Sequence, residues 1–196
     1  MYSFRPSRRE VLSRLATAFA GAVAIDQGLA REAHALVRQT AGRAPIALSA
    51  HEFRTLERLA DLIIPVENGK PGALGAEVPA WIDALITVNA TLRMRYTNGL
   101  AWLDSSMKAR GAADFASATP AQQTALLDRI AFKKNASPEL TPGIEFFTLA
   151  RRMTVDGFYT SDAGVREILP GGRPPLGEFT VPQASVDYVI SRSPFK

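Results

Sequence analysis

The 196-residue sequence contains no cysteine. This excludes disulfides, lipid attachment through a lipobox, thioether-bound haem, iron–sulfur clusters held by this chain and a thiol nucleophile. Histidine is nearly as scarce: there are two, His34 and His51, which makes zinc or haem ligation by this chain's own imidazoles improbable. Long apolar runs are missing too. The run Leu15–Ile25 spans eleven residues, against about 20 needed to cross roughly 30 Å of hydrocarbon, so no transmembrane span is expected. No basic stripe interleaved with aromatics appears, and nucleic acid is not an expected partner.

The apolar run follows Ser7-Arg8-Arg9-Glu10-Val11-Leu12-Ser13 and precedes a small-x-small triplet, Ala33-His34-Ala35. A basic segment, a short apolar segment and a small-residue cleavage site together make an export signal. Arg8 and Arg9, paired directly before the apolar segment, mark the twin-arginine route, although Val11 and Ser13 stand where that pattern often has Phe and Lys. An ordinary secretory signal with two chance arginines is the alternative, and both give a periplasmic or extracellular destination. The twin-arginine route carries cargo already folded in the cytoplasm, often around a cofactor. Cleavage after Ala35 would leave about 160 residues, enough for one domain with a sizeable core. Residues 1–35 hold five basic and three acidic groups, so the net charge of +4 would fall to +2. The pI near 9.7 thus belongs partly to the signal.

The rest of the chain divides into a linker over 36–48, a helical domain over 49–168 and an arm over 169–196. Ser49 and Glu52 form a capping box, and Phe53, Leu56, Leu59, Ala60 and Ile63 recur at helical spacing up to Pro65. A Gly/Pro-rich loop, 65–78, leads to a second helical stretch, 79–110. That stretch starts at Pro79 and is open to a bend or break at Asn98-Gly99. Thr119-Pro120 with Gln122 repeats the capping grammar, 144–155 is helical in pattern, and Ser161 caps a short turn reaching Ile168. The last 28 residues hold five prolines and show no sustained period, which predicts an extended arm. No strand-turn-strand series occurs. The expected fold is all-α, a single compact helical domain.

No catalytic constellation emerges. Glu52, Glu57 and Asp61 fall off the apolar stripe and read as a solvated face. Gly69, Gly72 and Gly75 lack the preceding strand and following Lys-Ser/Thr of a phosphate loop. His51 sits in a first helical turn as a solvated ring or weak cap. Ser105, Ser106 and Ser161 have no neighbouring histidine base, and Trp81 and Trp102 fit helix faces as core. Expected catalytic, cofactor-binding and metal-binding residues are therefore none. A folded-cargo signal on such a chain is reconciled most simply if the cofactor belongs to a partner.

Several motifs, in order, carry a family resemblance. They are Phe53-x-x-Leu56-x-x-Leu59-Ala60-Asp61-Leu62-Ile63-Ile64-Pro65, Pro71-Gly72-Ala73 and Val78-Pro79-Ala80-Trp81-Ile82-Asp83. Tyr96-x-x-Gly99-Leu100-x-x-Leu103-Asp104, Phe115-x-x-Ala118-Thr119-Pro120-x-Gln122-Gln123 and Phe158-Tyr159-Thr160-Ser161-x-x-Gly164 continue the series. Over about residues 50–175 the chain resembles the gluconate 2-dehydrogenase subunit 3 family. The resemblance implies a noncatalytic small, or gamma, subunit of a membrane-associated sugar or polyol dehydrogenase. Its implied partners are a glucose-methanol-choline-type flavoprotein bearing FAD and, commonly, a multihaem cytochrome c. The subunit would escort the signal-less flavoprotein through the twin-arginine translocase and stay bound, reaching the membrane through its partners. A stand-alone periplasmic helical binding module, with a pocket around Trp81 or Trp102, is the rival. Phe158, Tyr159, Phe179, Tyr188 and Phe195 are candidates for partner contact or for packing back onto the same domain.

Overall fold

The computed structural model describes His34, Val37 and residues 44–87, 89–169 and 183–192. All of its regular structure is helical: α1 (Ala50–Ile63), α2 (Val78–Thr87), α3 (Ala90–Lys108), α4 (Pro120–Ile130), a 3₁₀ turn (Lys133–Asn135), α5 (Thr141–Thr160), α6 (Asp162–Ile168) and α7 (Gln183–Arg192). Among the described residues, β pairing is limited to an isolated bridge between Glu67 and Lys70. The all-α expectation holds.

Local chemistry sets the boundaries. Ser49 accepts from the Glu52 amide while the Glu52 carboxylate accepts from the Ser49 amide, and Thr119 and Gln122 repeat the arrangement at α4. Both satisfy amides that a helix start leaves open. The α1 helix stops at Ile64 because Pro65 disfavours the helical conformation in the residue before it. The chain then turns at Asn68-Gly69, both at positive φ (51° and 73°). It folds back so that the Ala73 amide donates to the Ile64 carbonyl at 2.8 Å. Gly72 is required there, since a Cβ would lie 2.6 Å from the Pro65 carbonyl carbon.

The second helical stretch is two helices, and the break falls near Asn89 instead of Asn98-Gly99. Asn89 caps α3 by accepting from the Leu92 amide at 2.9 Å. Gly99 lies within α3, where the Phe146 ring occupies the space that a Cβ would take. The α5 helix is longer than the pattern predicts, running from Thr141 to Thr160 with Pro142 in its first turn. Proline lacks an amide hydrogen that the first turn would leave unpaired anyway.

The core is organised around α5, which packs against α1, α2, α3, α4 and α6. Gly143 and Gly157 let the Trp102 and Trp81 rings lie against its backbone, as Gly99 does for Phe146 on α3. The α2 helix is buried on nearly every side, through Val78, Trp81, Ile82, Ala84, Leu85 and Ile86, as expected for a helix apolar all round. Within the segment predicted to be an extended arm, Gln183–Arg192 is helical (α7). Pro182 precedes it, Gln183 donates to Asp187 at 2.9 Å, and Arg192 lies over the Tyr188 ring at 4.7 Å. Both pairs are spaced i, i+4 and support a short helix.

Candidate functional site

Two buried carboxylates from the resemblance motifs organise the polar interior. Asp83, on α2, is 2% exposed. One of its oxygens accepts from the Ile46 amide at 2.6 Å; the other accepts from Ala47 at 3.1 Å and Leu48 at 2.9 Å. Three successive amides thus close around one carboxylate, an anion nest that pins the chain just before α1. Asp104, on α3, works likewise for the loop between α3 and α4. Its Oδ1 accepts from the Phe115 amide at 3.0 Å, and its Oδ2 lies 2.6 Å from His51 Nε2.

His51 is therefore paired, contrary to the expectation of a solvated ring or weak cap. A histidine oriented by a carboxylate is half of an acid–base arrangement. Here, however, the bonds of Asp104 run to a loop amide, and among the described residues no serine hydroxyl is hydrogen-bonded to His51. Nearby, Arg58 donates to Gln123 and Asp61, both at 2.8 Å, and Gln123 donates to the Phe115 carbonyl at 2.7 Å. The polar edge of α1 is thus a clasp on the 112–118 loop. Hydrogen bonds from the Ser117 hydroxyl and amide hold the Asp114 carboxyl below its ordinary range, aided by His51 and Arg54. Glu57 is half-buried instead of water-facing, and desolvation pushes its carboxyl up. Asp61 is half-buried too and carries the Arg58 ion pair. Among the described residues no group of three or more His, Asp or Glu side chains could hold a metal ion.

The proposed contact residues separate. Phe158 is 1% exposed and belongs to the core, so of its two readings it takes the packing onto its own domain: a side chain already covered there has no surface to offer. Tyr159, edge-on to Phe158 at 5.1 Å, is open to solvent, and so is Tyr188 on α7. Arg8, Arg9, Phe179 and Phe195 lie outside the described residues. The structure also exposes apolar residues that sequence periodicity missed, among them Val66, Ile168 and Leu169. Their signal was composition, since each sits in or beside a loop where no apolar stripe demands it.

Two depressions flank the Lys70–Glu167 ion pair (3.6 Å). One, of about 280 Å³, is bounded by the 63–71 turn and Tyr159. The other, of about 490 Å³, lies between the 70–77 loop and α6 and is bordered by His34 and Arg166. Trp81 and Trp102 line neither. His34 is itself buried. Its ring stacks on Trp81 (centroids 5.6 Å apart, planes 14° apart), and its Nε2 lies 3.1 Å from Thr160 Oγ1.

Among the described residues no helix is long and apolar enough to cross a membrane. Neither the curated proteins nor the solved structures give a match to the chain. A family model does: that of gluconate 2-dehydrogenase subunit 3 matches residues 50–171. This range runs from the first residue of α1 past the end of α6 and contains both carboxylate anchors. The chain belongs to the gluconate 2-dehydrogenase subunit 3 family, and so to the subunits of dehydrogenase complexes.

Proposed function

We propose that this chain is the noncatalytic small subunit of a periplasmic, FAD-dependent sugar or polyol dehydrogenase. It escorts the flavoprotein subunit through the twin-arginine route and stabilises it afterwards. The observation that carries the reading is the family match over the helical body in a chain that also places Arg8 and Arg9 ahead of a short apolar run. The clasps formed by Asp83, Asp104 and His51 are consistent with it, because their bonds hold loops to helices. FAD belongs to the partner in this reading, and the exposed Tyr159 and Tyr188 are the candidate partner contacts. The rival, a stand-alone binding module, loses one of its two anchors, since Trp81 is fully buried.

Export is tested with Arg8→Lys and Arg9→Lys together, which keep the charge but remove the planar guanidinium donors. Dehydrogenase activity should leave the periplasm while both subunits accumulate in the cytoplasm. Normal export of the double variant refutes the route. The purified chain alone should show no flavin absorbance and oxidise no sugar with an artificial acceptor. Binding the folded flavoprotein should raise that partner's stability by mass action.

A further inference from the structure

The sequence holds two Asn-Gly pairs, Asn68-Gly69 and Asn98-Gly99, and the fold puts them in opposite settings. Asparagine followed by glycine is chemically labile. The next main-chain nitrogen can attack the side-chain amide carbon, and glycine has no Cβ to obstruct the approach. Attack needs a free amide and room for the backbone to rotate. Asn68 and Gly69 are the central residues of a turn with φ positive at both, 51° and 73°, as in a type I′ turn. Glu67 and Lys70 close it: the Lys70 amide donates to the Glu67 carbonyl at 2.9 Å, and the Glu67 amide to the Lys70 carbonyl at 3.4 Å. Among the described residues the Gly69 amide donates to no acceptor. Both central residues are exposed, and nothing lies within 4 Å of the place a Gly69 Cβ would take. Asn98 is exposed as well, but it sits inside α3, where the helical ladder engages the Gly99 amide. Gly99 is buried, with the Phe146 ring against it. The reactive geometry there requires α3 to open.

We infer that Asn68 is a site of spontaneous deamidation in the folded protein and that Asn98 is not. The Gly69 nitrogen, giving its proton to hydroxide, bonds to Asn68 Cγ. The Cγ–Nδ2 bond breaks, and that nitrogen takes a proton from water and leaves as ammonia, giving a succinimide ring. Water then opens the ring at either carbonyl. The product is aspartate, or an isoaspartyl link in which the main chain runs through Cγ. Nothing is oxidised or reduced, and water is the co-reactant. Either product puts a carboxylate into the depression bounded by Glu67, Lys70 and Glu167, where it competes with Glu167 for the Lys70 ammonium, 3.6 Å from Glu167 in the present pair. The isoaspartyl product also lengthens the main chain between Glu67 and Lys70, so the turn's two closing bonds no longer match. The inference rests on the turn and is independent of the export and partner readings.

The test incubates the purified full chain at body temperature, at mildly acidic and mildly alkaline pH, and follows tryptic peptides 59–93 and 96–108 by mass. Fragmentation reads the change from amide to acid at each asparagine, and an isoaspartyl methyltransferase labels the rerouted product. Asn68 should convert at least about 100-fold faster than Asn98, because opening the middle of a packed helix is a rare excursion. Its rate should rise with hydroxide, and in concentrated urea, where α3 is lost, the two rates should converge. Equal rates in the folded chain overturn the inference. So does a folded Asn68 that remains an amide while the same pair converts in urea. Conversion to aspartate with no isoaspartyl label means direct hydrolysis and overturns the succinimide route.

Discussion

Replacing Asp83 with alanine should destabilise the domain more than any other single polar change on α2. The carboxylate accepts from the Ile46, Ala47 and Leu48 amides, and a hydrogen bond to a charged group contributes about 1.5–3 kcal/mol net. The three do not add, because one group makes them all, and the bared amides differ in access to water. Ile46 is 45% exposed, so its amide can be rehydrated; Leu48 is 5% exposed, so its amide stays dry. Discounting for this gives a loss of about 3–4 kcal/mol, a large part of the 5–15 kcal/mol that holds an ordinary domain together. Asp83→Asn keeps one oxygen for Ala47 and Leu48 but turns an NH₂ toward the Ile46 amide, and should cost about 1–2 kcal/mol. Urea melts followed by far-ultraviolet circular dichroism measure both, provided the slope with denaturant is unchanged. Asp83→Ala within about 0.5 kcal/mol of the parent would refute the latch, because surface substitutions are that small. Equal losses for Ala and Asn would refute the two-oxygen geometry.

Three further outcomes follow from the packing and charges. Gly99→Ala places a Cβ inside the Phe146 ring; overpacking of about 1–3 kcal/mol outweighs a helix-propensity gain of about 1 kcal/mol, so thermal melting should fall, and a more stable variant would contradict the close approach. Burial raises the Glu57 carboxyl, so its ionised form opposes folding above the folded-state pKa and ceases to do so as protonation completes. Glu57→Gln should therefore stabilise near pH 7, and the gain should vanish as pH falls through that pKa. Asp114, lowered by Ser117, has the opposite sign: its stabilisation is present above the unfolded pKa and is lost as pH falls through the folded one. Stability measured against pH for Glu57→Gln and Asp114→Asn checks both. Deleting residues 169–196 should lower helical dichroism by no more than the share of α7 (10 residues) while weakening flavoprotein co-purification; loss of helicity throughout would place the segment in this subunit's own core.

Where an apolar face and a cap coincide, the helices were legible. Ser49 with Glu52 and Thr119 with Gln122 announce their helices, and both boxes form as predicted. The misplaced break shows the limit of glycine as punctuation. Gly99 marks the place where an aromatic from α5 meets α3, a fact about a partner helix that a single-helix pattern does not contain. Pro142 falls outside the 144–155 pattern for a similar reason: proline is tolerated in a first helical turn, so it does not say on which side of the boundary it stands. The α7 helix was hidden by the prolines around it, although positions 186, 189 and 190 have helical spacing.

The interaction residues were less legible because burial of a charge depends on what arrives to pair it. Asp83 lies within Trp81-Ile82-Asp83-Ala84-Leu85-Ile86, on a helix with almost no face left for water. That context alone called for buried donors, since an unpaired carboxylate there would cost several kcal/mol. What it did not disclose is that the donors are backbone amides from a segment read as linker, 35 to 37 residues upstream. His34 is the same case. Composition places it in a signal segment, while its ring stacks on Trp81 and its Nε2 meets the Thr160 hydroxyl. In both, the chain ahead of α1 is held by residues inside the family motifs, the Val78–Asp83 motif and Phe158–Ser161. Those motifs therefore fasten the N-terminal segment to the helical body.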